Sequence, residues 1–344
     1  MESKGEYILV TGGAGYIGSH TVISLLENGY TPIIIDDFRN SNRDVIARLQ
    51  EITGQNIIYY DLACQEKIKL REVFTKYKVQ GVIHFAAYKA VGESVEKPLM
   101  YFENNLGSLI TLLELIQEFQ ITNLVFSSSC TVYGNPTQIP VVENSPLSFN
   151  SPYGYTKKAS EEIITQFIES FPTTKATFLR YFNPIGAHDS GIIGEEPDGK
   201  PNNLLPFITQ TAIGIREKLT VFGDDYNTED GTCVRDYIHV CDLAEAHVAA
   251  LKKAYSITEN PIVYNIGTGK GSSVMEMISV FEKISHLKLP YTIGPRRSGD
   301  VPIIFANTDK ANKNLEWKAS RSIEQAIDSA WKFEKYIRTK RNNS

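Results

Sequence analysis

Residues 7–18 read YILVTGGAGYIG, a short apolar run that leads into three evenly spaced glycines, Gly12, Gly15 and Gly18. Between a predicted strand and a predicted helix, such glycines are typical of a turn that binds a dinucleotide. The first allows a tight turn, the second lets a pyrophosphate approach the backbone, and the third lets helix and strand pack closely. Tyr16 and Ile17 open the helix, where free N–H groups would face the phosphates. The spacing is GxxGxxG rather than GxGxxG, and alone it also suits an ordinary turn.

Short apolar runs alternate with helical patterns through the first half of the chain. The runs are Ile8–Val10, Pro32–Ile35, Ile57–Tyr60, Val82–Phe85, Leu124–Phe126 and Ala176–Leu179. Uninterrupted apolar strands that are separated by helices indicate a parallel sheet with both faces covered. The sequence therefore predicts an α/β fold, a doubly wound parallel sheet of the Rossmann type, with a smaller mixed α/β C-terminal substrate domain.

The rhythm changes near Pro184, and a segment rich in Gly, Pro, Asp and Asn follows at 188–203. Such a segment is typical of a long functional loop. We expect residues 1–183 to form the nucleotide-binding domain, with 236–265 returning to it. Residues 184–235 and 266–344 then form the substrate domain, and the substrate lies in the cleft between the two.

The composition narrows the function classes. A net charge of -5 argues against a nucleic-acid surface, and no apolar run is long enough to span a membrane. Four cysteines without metal-type spacing indicate reduced thiols, and no signal-like segment precedes Tyr7–Val10, so a cytoplasmic location is expected. The six histidines lack ligand spacing, so no metal is expected. The basic residues 338–341 are interpreted as a solvated helix end.

Several residues at predicted strand ends are assigned to a cofactor site. Asp36 ends the second strand, where a carboxylate accepts hydrogen bonds from an adenosine ribose and repels a 2′-phosphate, which favours NAD over NADP. An ordinary turn is the alternative. The neighbouring loop and the ends of the third and fourth strands complete the assignment: Asp37, Asn40, Ser41, Asp61, Leu62, Phe85, Ala86 and Ala87. Asp61 could reach the adenine amino group, and the alanines would let the backbone approach the cofactor or would serve packing alone.

Tyr153 and Lys157 are the candidate catalytic pair, because residues four apart share one face of a helix. A free tyrosine has a pKa of about 10 and is a poor base at neutral pH, whereas a neighbouring ammonium favours the phenolate. Alone, this spacing is also a common surface pair. Ser129, at the end of the fifth strand, is the first candidate to bridge the substrate hydroxyl to Tyr153, and Thr131 is the second.

With these motifs in place, the chain resembles the extended short-chain dehydrogenase/reductase family, and in particular its nucleotide-sugar 4-epimerases. The resemblance covers nearly the whole length and rests on a set of specific stretches: VTGGAGYIGSHT, HFAAYKAVGESVEKP, FSSSCTVYG, SPYGYTKK, RYFNPIGAH, PNNLLP, EDGTCVRDYIHV and PRRSGD. It implies NAD as cofactor and reversible oxidation at C4 that interconverts UDP-galactose and UDP-glucose. It also implies a homodimer that pairs the helix at 106–116 with the Tyr153 helix.

The resemblance also assigns residues by position. Lys89, Asn104 and Tyr181 would support the cofactor. The sugar nucleotide would be held by Asn183, Asn202, Asn203, Leu204, Phe222, Arg235, Arg297 and Asp300, with the two arginines on its phosphates and Asp300 on its ribose. Ile304 occupies a gate position for N-acetylated sugars, where isoleucine is intermediate in size, so a side activity on UDP-N-acetylhexosamines stays open.

Two other functions are considered. A nucleotide-sugar 4,6-dehydratase shares the oxidation step. Dehydratases that resemble this fold carry an Asp-Glu acid–base pair just before Val-Tyr-Gly, where this chain has Cys130 and Thr131. A non-catalytic nucleotide sensor on the same fold typically lacks the tyrosine or the lysine, and this chain has both. The sequence therefore favours the epimerase chemistry.

Overall fold

The computed structural model describes residues 6–297 and 299–342, so residues 1–5, 343–344 and Ser298 of the PRRSGD stretch lie outside it. The first half alternates strands and helices as predicted. Its elements are β1 (Tyr7–Thr11), α1 (Tyr16–Glu27), β2 (Thr31–Asp36), α2 (Asp44–Thr53), β3 (Ile58–Asp61), α3 (Lys67–Lys76), β4 (Val79–His84), α4 (Val91–Glu96), α5 (Pro98–Glu118), β5 (Asn123–Ser129), α6 (Pro152–Ser170) and β6 (Lys175–Tyr181), with a single 3-10 turn at Cys130–Val132.

The second half has shorter strands and longer connections. Its elements are β7 (Asn183–Ile185), α7 (Leu204–Ala212), β8 (Leu219–Phe222), β9 (Val234–Arg235), β10 (Tyr237–His239), α8 (Val240–Lys253), β11 (Ile262–Ile266), β12 (Ser272–Ser273), α9 (Val274–Ser285), β13 (Tyr291–Gly294), β14 (Ile303–Ile304), α10 (Asp309–Leu315) and α11 (Ile323–Asn342).

The main sheet has seven strands in the order β11-β6-β5-β4-β1-β2-β3, and every pairing is parallel. This arrangement confirms the predicted Rossmann-type fold. The strand order reverses between β1 and β4, where the following loops diverge to opposite faces. Ligands bind in such sheets at the carboxyl ends of the strands beside this switch point. The fold therefore brings the glycine loop after β1 next to the alanines after β4.

Alternate residues of each strand fill two separate cores. On β1, Ile8 and Val10 pack against apolar side chains of α1, α2 and α8, whereas Leu9 packs against α3, α5 and α6 on the other face. Strands buried on both faces must be apolar at every position, which explains the uninterrupted runs in the sequence.

Residues 236–265 return to the main sheet, as expected, but the strand that joins the sheet is β11 and not β10. Strand β10 pairs with β7 in a small parallel sheet outside the main one. Helix α8 contributes Leu243 and Leu251 to the core on the α1 face, and the following strand β11 pairs with β6 at the edge of the main sheet. The crossover through α8 therefore extends the sheet to its seventh strand.

A third core lies under the C-terminal elements and combines side chains of α7, α9, α11 and β8, including Ile208, Phe281 and Trp331. All four cysteines are free. None of the helices in the described ranges is both long and apolar enough to cross a lipid bilayer. The C-terminal basic residues form the end of α11, and residues 339–341 are exposed, as a solvated helix end requires. Arg338 pairs with Glu334, and Arg341 pairs with Glu196.

The close approach of α1 to the glycine loop gives a direct test. A Cβ at Gly18 would lie 2.2 Å from the Gly12 carbonyl oxygen, so Gly18→Ala must push α1 away from β1. We expect it to lower the free energy of unfolding by about 1–3 kcal/mol, as overpacking does. Gly92 in α4 is the matched control, since a Cβ there meets nothing within 4 Å. In denaturant unfolding, equal midpoints for Gly18→Ala and Gly92→Ala would contradict this account of the packing.

Candidate active site

The glycine loop is shaped to approach a ligand closely. Gly12 has a φ of +68°, and its N–H donates to the Ile35 carbonyl oxygen at 2.8 Å. A Cβ at Gly12 would lie 2.8 Å from the Ala86 nitrogen, so only glycine fits this crossing of two loops. Gly15 is the N-cap of α1 and offers no side chain to its first N–H groups. Those groups and the positive end of the helix dipole are available to an anion such as a pyrophosphate.

Asp36 fixes the loop that follows β2. Its carboxylate accepts hydrogen bonds from the Ala14 N–H at 2.9 Å, the Phe38 N–H at 3.0 Å and the Ser41 hydroxyl at 2.9 Å. Burial raises the pKa of Asp36, and these hydrogen bonds act against that rise. The carboxylate therefore ties the glycine loop to the 37–41 loop, at the place where an adenosine ribose would lie in this fold.

A cavity of about 560 Å³ runs from Asp36 to Tyr153 along the ends of the strands. Among the residues predicted from the sequence, those that line it are Gly12, Gly15, Tyr16, Ile17, Gly18, Asp36, Asp37, Asn40, Ser41, Leu62, Phe85, Ala86, Ala87, Lys89, Asn104, Tyr153, Lys157, Tyr181, Asn202 and Asn203. Asp61 is not among the lining residues, and its half-exposed carboxylate pairs with Arg43 at 2.5 Å.

Tyr153 and Lys157 lie in the first two turns of α6, which begins at Pro152 and is capped by the Ser151 hydroxyl. Both are buried, with exposures of 6% and 4%. The Lys157 ammonium donates to the Ser127 carbonyl oxygen at 2.6 Å and lies 4.9 Å from the centre of the Phe126 ring. Burial lowers the pKa of Lys157 to about 8, and Glu161 acts in the opposite direction.

Burial also governs the tyrosine. It raises the pKa of Tyr153 well above the usual 10, Tyr181 adds to the rise, and the Ser129 hydroxyl partly offsets it. A phenolate at this position therefore requires nearby positive charge to replace the solvation that burial removes. Lys157, one helical turn further along, can supply part of that charge.

The two candidate hydroxyls differ in their partners. The Ser129 Oγ accepts a hydrogen bond from the Thr131 N–H at 3.2 Å, which leaves its proton available for another acceptor. The Thr131 Oγ1 is buried and has no hydrogen-bond partner among the described residues. An unpartnered buried hydroxyl in the turn that packs against α6 is what a site completed by a ligand would show.

The other predicted substrate residues form a second group, outside the lining of the large cavity. Arg297 and Asp300 form a bidentate pair, with the shorter N–O distance 2.8 Å, and Arg235 lies 3.7 Å from the same carboxylate. The Phe222 ring lies 5.8 Å from the Arg297 guanidinium carbon. Asn183 donates its N–H to the Asp236 carbonyl oxygen, and Leu204 begins α7.

Ile304 is buried at 6% exposure and packs in a small core with Val141 and Phe182. Its backbone is in register with Arg235, so it lies beside the arginine group. The side chain is held by its neighbours, and its size is a fixed feature of this side of the cleft.

The segment 193–203 forms one wall of the cavity, and sequence reasoning assigned only Asn202 and Asn203 of it to the site. Glu195 pairs with Lys89 at 3.1 Å and accepts from the Asn203 amide at 2.6 Å. Glu196 is shared by Arg48 of α2 at 2.8 Å and Arg341 of α11 at 2.7 Å. The Gly-, Pro- and Asp-rich composition marked this segment as a functional loop, but nothing local indicated which cations would hold it.

Comparison with known proteins identifies relatives over nearly the whole chain. The family model described as GDP-mannose 4,6 dehydratase matches residues 9–330. A UDP-glucose 4-epimerase of Dictyostelium discoideum is 49% identical over 334 residues, which covers 97% of each chain. The human UDP-glucose 4-epimerase is 49% identical over 337 residues, covering 96% of this chain and 97% of the human one.

A solved structure agrees with these relatives. The UDP-glucose 4-epimerase from Bifidobacterium longum, in complex with NAD+ and UDP, matches with a TM-score of 0.92 and 43% identity, covering 96% of this chain and 98% of that one. The resemblance read from the motifs is confirmed: the chain belongs to the family that the GDP-mannose 4,6 dehydratase model describes and, within it, groups with the UDP-glucose 4-epimerases.

Proposed function

We propose that this protein is an isomerase that interconverts UDP-galactose and UDP-glucose by reversible oxidation at C4. The observation that carries the proposal is the placement of Tyr153 and Lys157 in the same cavity as the glycine loop and Asp36. The 49% identity to UDP-glucose 4-epimerases over 97% of the chain supports the choice of reaction.

The cavity residues fit NAD. The uncapped N–H groups of α1 suit the pyrophosphate. Gly12 has no side chain, which lets its loop lie close to the backbone of Ala86. Asp36 suits the adenosine ribose and repels a 2′-phosphate. Tyr16, Ile17, Asp37, Asn40, Ser41, Leu62 and the remaining predicted lining residues would complete the cofactor site.

NAD, when bound, supplies the acceptor and later the donor of the C4 hydrogen. The protein's own work is proton transfer and positioning. Tyr153, as phenolate, takes the proton of the C4 hydroxyl, with Ser129 or Thr131 orienting that hydroxyl. Lys157 stabilises the phenolate. The resulting 4-keto sugar rotates within the site and presents its opposite face. Tyr153 then returns the proton to the C4 oxygen as the hydrogen is returned to that face of C4. The configuration at C4 is inverted, and the net composition of the sugar is unchanged.

Inversion requires a firm hold on the nucleotide and a loose hold on the sugar. The arginine group is suited to the first task, because the guanidinium forks of Arg235 and Arg297 match a diphosphate. We assign Asp300 to the uridine ribose and Phe222 to the uracil side. Between the arginine group and Tyr153, we assign four residues to contacts with the sugar nucleotide: Asn183, Asn202, Asn203 and Leu204.

The family model bears the description of a 4,6-dehydratase, so that activity is the second candidate. Elimination of water across C5 and C6 needs an acid and a base near the ring. Burial raises the pKa of the Cys130 thiol to about 12, and Thr131 has no acidic proton at neutral pH. These two positions therefore supply neither the acid nor the base for elimination, and the epimerase reaction is favoured.

Several further assignments belong to this proposal. The intermediate size of Ile304 is compatible with a side activity on UDP-N-acetylhexosamines. The outward Ile110 of α5 and the ring contact between Phe102 and Tyr155 support a homodimer through α5 and α6. The free thiols support a cytoplasmic location. Residues 1–183 and 236–265 would bind NAD, while 184–235 and 266–344 would bind the UDP-sugar.

Tyr153→Phe tests the proposed reaction. Proton NMR should show that wild-type protein, as purified and without added NAD, converts UDP-galactose into a mixture with UDP-glucose. The variant should lose about 10²–10⁴-fold in rate, the usual worth of general acid–base catalysis, and should keep its affinity for UDP in calorimetry. Tyr155→Phe, on the same helix but 38% exposed, should leave the rate unchanged. Equal rates for the two variants would remove Tyr153 from the mechanism.

Glu196→Gln tests how the cofactor is retained. The change removes the carboxylate that joins the 193–203 wall to α2 and α11, so the wall should open more often. We expect NAD to leave about tenfold faster during dialysis, equivalent to about 1.4 kcal/mol. The measurement is the NAD content per protomer after acid release. Glu118→Gln, which breaks the surface pair with Arg71, is the control. Equal NAD loss in the two variants would show that the ion pairs do not hold the wall.

A further inference from the structure

A buried ion pair lies directly behind the catalytic residues. The Arg180 guanidinium on β6 donates to both carboxylate oxygens of Glu161 on α6, at 2.9 and 2.6 Å. Ser128 on β5 donates its hydroxyl to the same carboxylate at 2.5 Å. Both charged side chains are 5% exposed. A buried charge pair contributes little net stability compared with well-packed apolar residues, so its presence here points to another purpose.

The position of this pair relates it to the active site. Tyr153, Lys157 and Glu161 follow one another at intervals of four along α6 and are all buried, so they form a single stripe that faces the sheet. Ser128 is flanked by Ser127, whose carbonyl oxygen accepts the Lys157 ammonium, and by Ser129, the candidate substrate hydroxyl. Glu161 therefore touches the strand that carries both groups and lies one helical turn from Lys157.

We propose that Glu161 is a positioning residue for the proposed reaction: its carboxylate keeps Lys157 protonated and fixes the end of β5 against α6. The inference rests on the function proposed above for Tyr153 and Lys157. Arg180 holds the carboxylate in place from the far side, so that the negative member of the pair is the one next to Lys157.

The surroundings of Lys157 show why a nearby carboxylate matters. Burial alone would drive the ammonium to lose its proton, and Glu161 is the charged group that opposes this among the described residues. The other titratable neighbours carry no negative charge at neutral pH. His84 on β4 accepts or donates a 2.7 Å hydrogen bond with Thr11, and burial, aided by Lys157, lowers its pKa to about 3. Tyr153 is a neutral phenol until it gives up its proton.

The test is a titration of Lys157 itself in Glu161→Gln. Carbon NMR of the holoenzyme, labelled at the lysine Cε, follows each ammonium separately, and the resonance missing from Lys157→Met identifies Lys157. Without the carboxylate, the Lys157 midpoint should fall by about one pH unit, because the ammonium loses the nearby opposite charge that favours it. The alkaline limb of the epimerase pH profile should move by the same amount in the same direction.

Glu162→Gln is the matched control, because Glu162 is the next residue on α6 and pairs with Lys158 at the surface. Its Lys157 midpoint should equal that of wild type. If Glu161→Gln does not fold, Glu161→Gln/Arg180→Met removes both buried charges, and its Lys157 midpoint should still lie below the wild-type value.

A Lys157 midpoint in the folded Glu161 variant that coincides with the Glu162→Gln value would overturn the inference. The proposed function fails separately, since wild-type protein that does not interconvert the UDP-sugars still has a measurable Lys157 titration.

Discussion

The contact between the Lys157 ammonium and the Ser127 carbonyl oxygen, 2.6 Å long, is the constraint on which the site depends. It holds the charged group of a side chain that is only 4% exposed, at the end of the strand that carries Ser129. Burial lowers the pKa of Lys157 and raises the pKa of Tyr153, so it disfavours both the ammonium and the phenolate. The chemistry needs both ions together, so the site works only if further charges and dipoles are arranged around the pair.

The parallel sheet supplies that arrangement. Because its strands all end at one edge, the glycine loop, Asp36 and the Ser127–Ser129 segment meet along a single cavity although they are far apart in the chain. Tyr153 and Lys157 thus lie at one end of the cavity and Asp36 at the other. The arginine group lies on the C-terminal elements, outside the lining of this cavity.

Local rules were sufficient for the parts of the site that depend on local geometry. Period-four spacing predicted that Tyr153 and Lys157 share a helix face, and the apolar run before Asp36 predicted its place at a strand end. The resemblance to relatives supplied the residues of the arginine group, which no local pattern marks.

Ion pairs between residues far apart in the chain could not be predicted from the sequence. Glu196 is 148 residues from Arg48 and 145 from Arg341, and nothing near either end announces the contact. The same holds for Glu161 and Arg180, which are 19 residues apart on a helix and a strand and which no local pattern pairs. The contact of Arg341 with Glu196 could not be foreseen for the same reason, whereas Arg338 pairs with Glu334 only four residues earlier on α11. Asp61, assigned by its place after β3, pairs with Arg43 instead of facing the cavity.

The central claim is that the hydrogen removed from C4 is the one returned to the opposite face. UDP-galactose carrying deuterium at C4 tests it most directly, with proton NMR and mass spectrometry of the UDP-glucose formed by the wild-type protein. The account predicts that the deuterium stays at C4 of the product and that no solvent hydrogen enters there. Loss of the label to solvent, or its appearance at another carbon, would contradict the account.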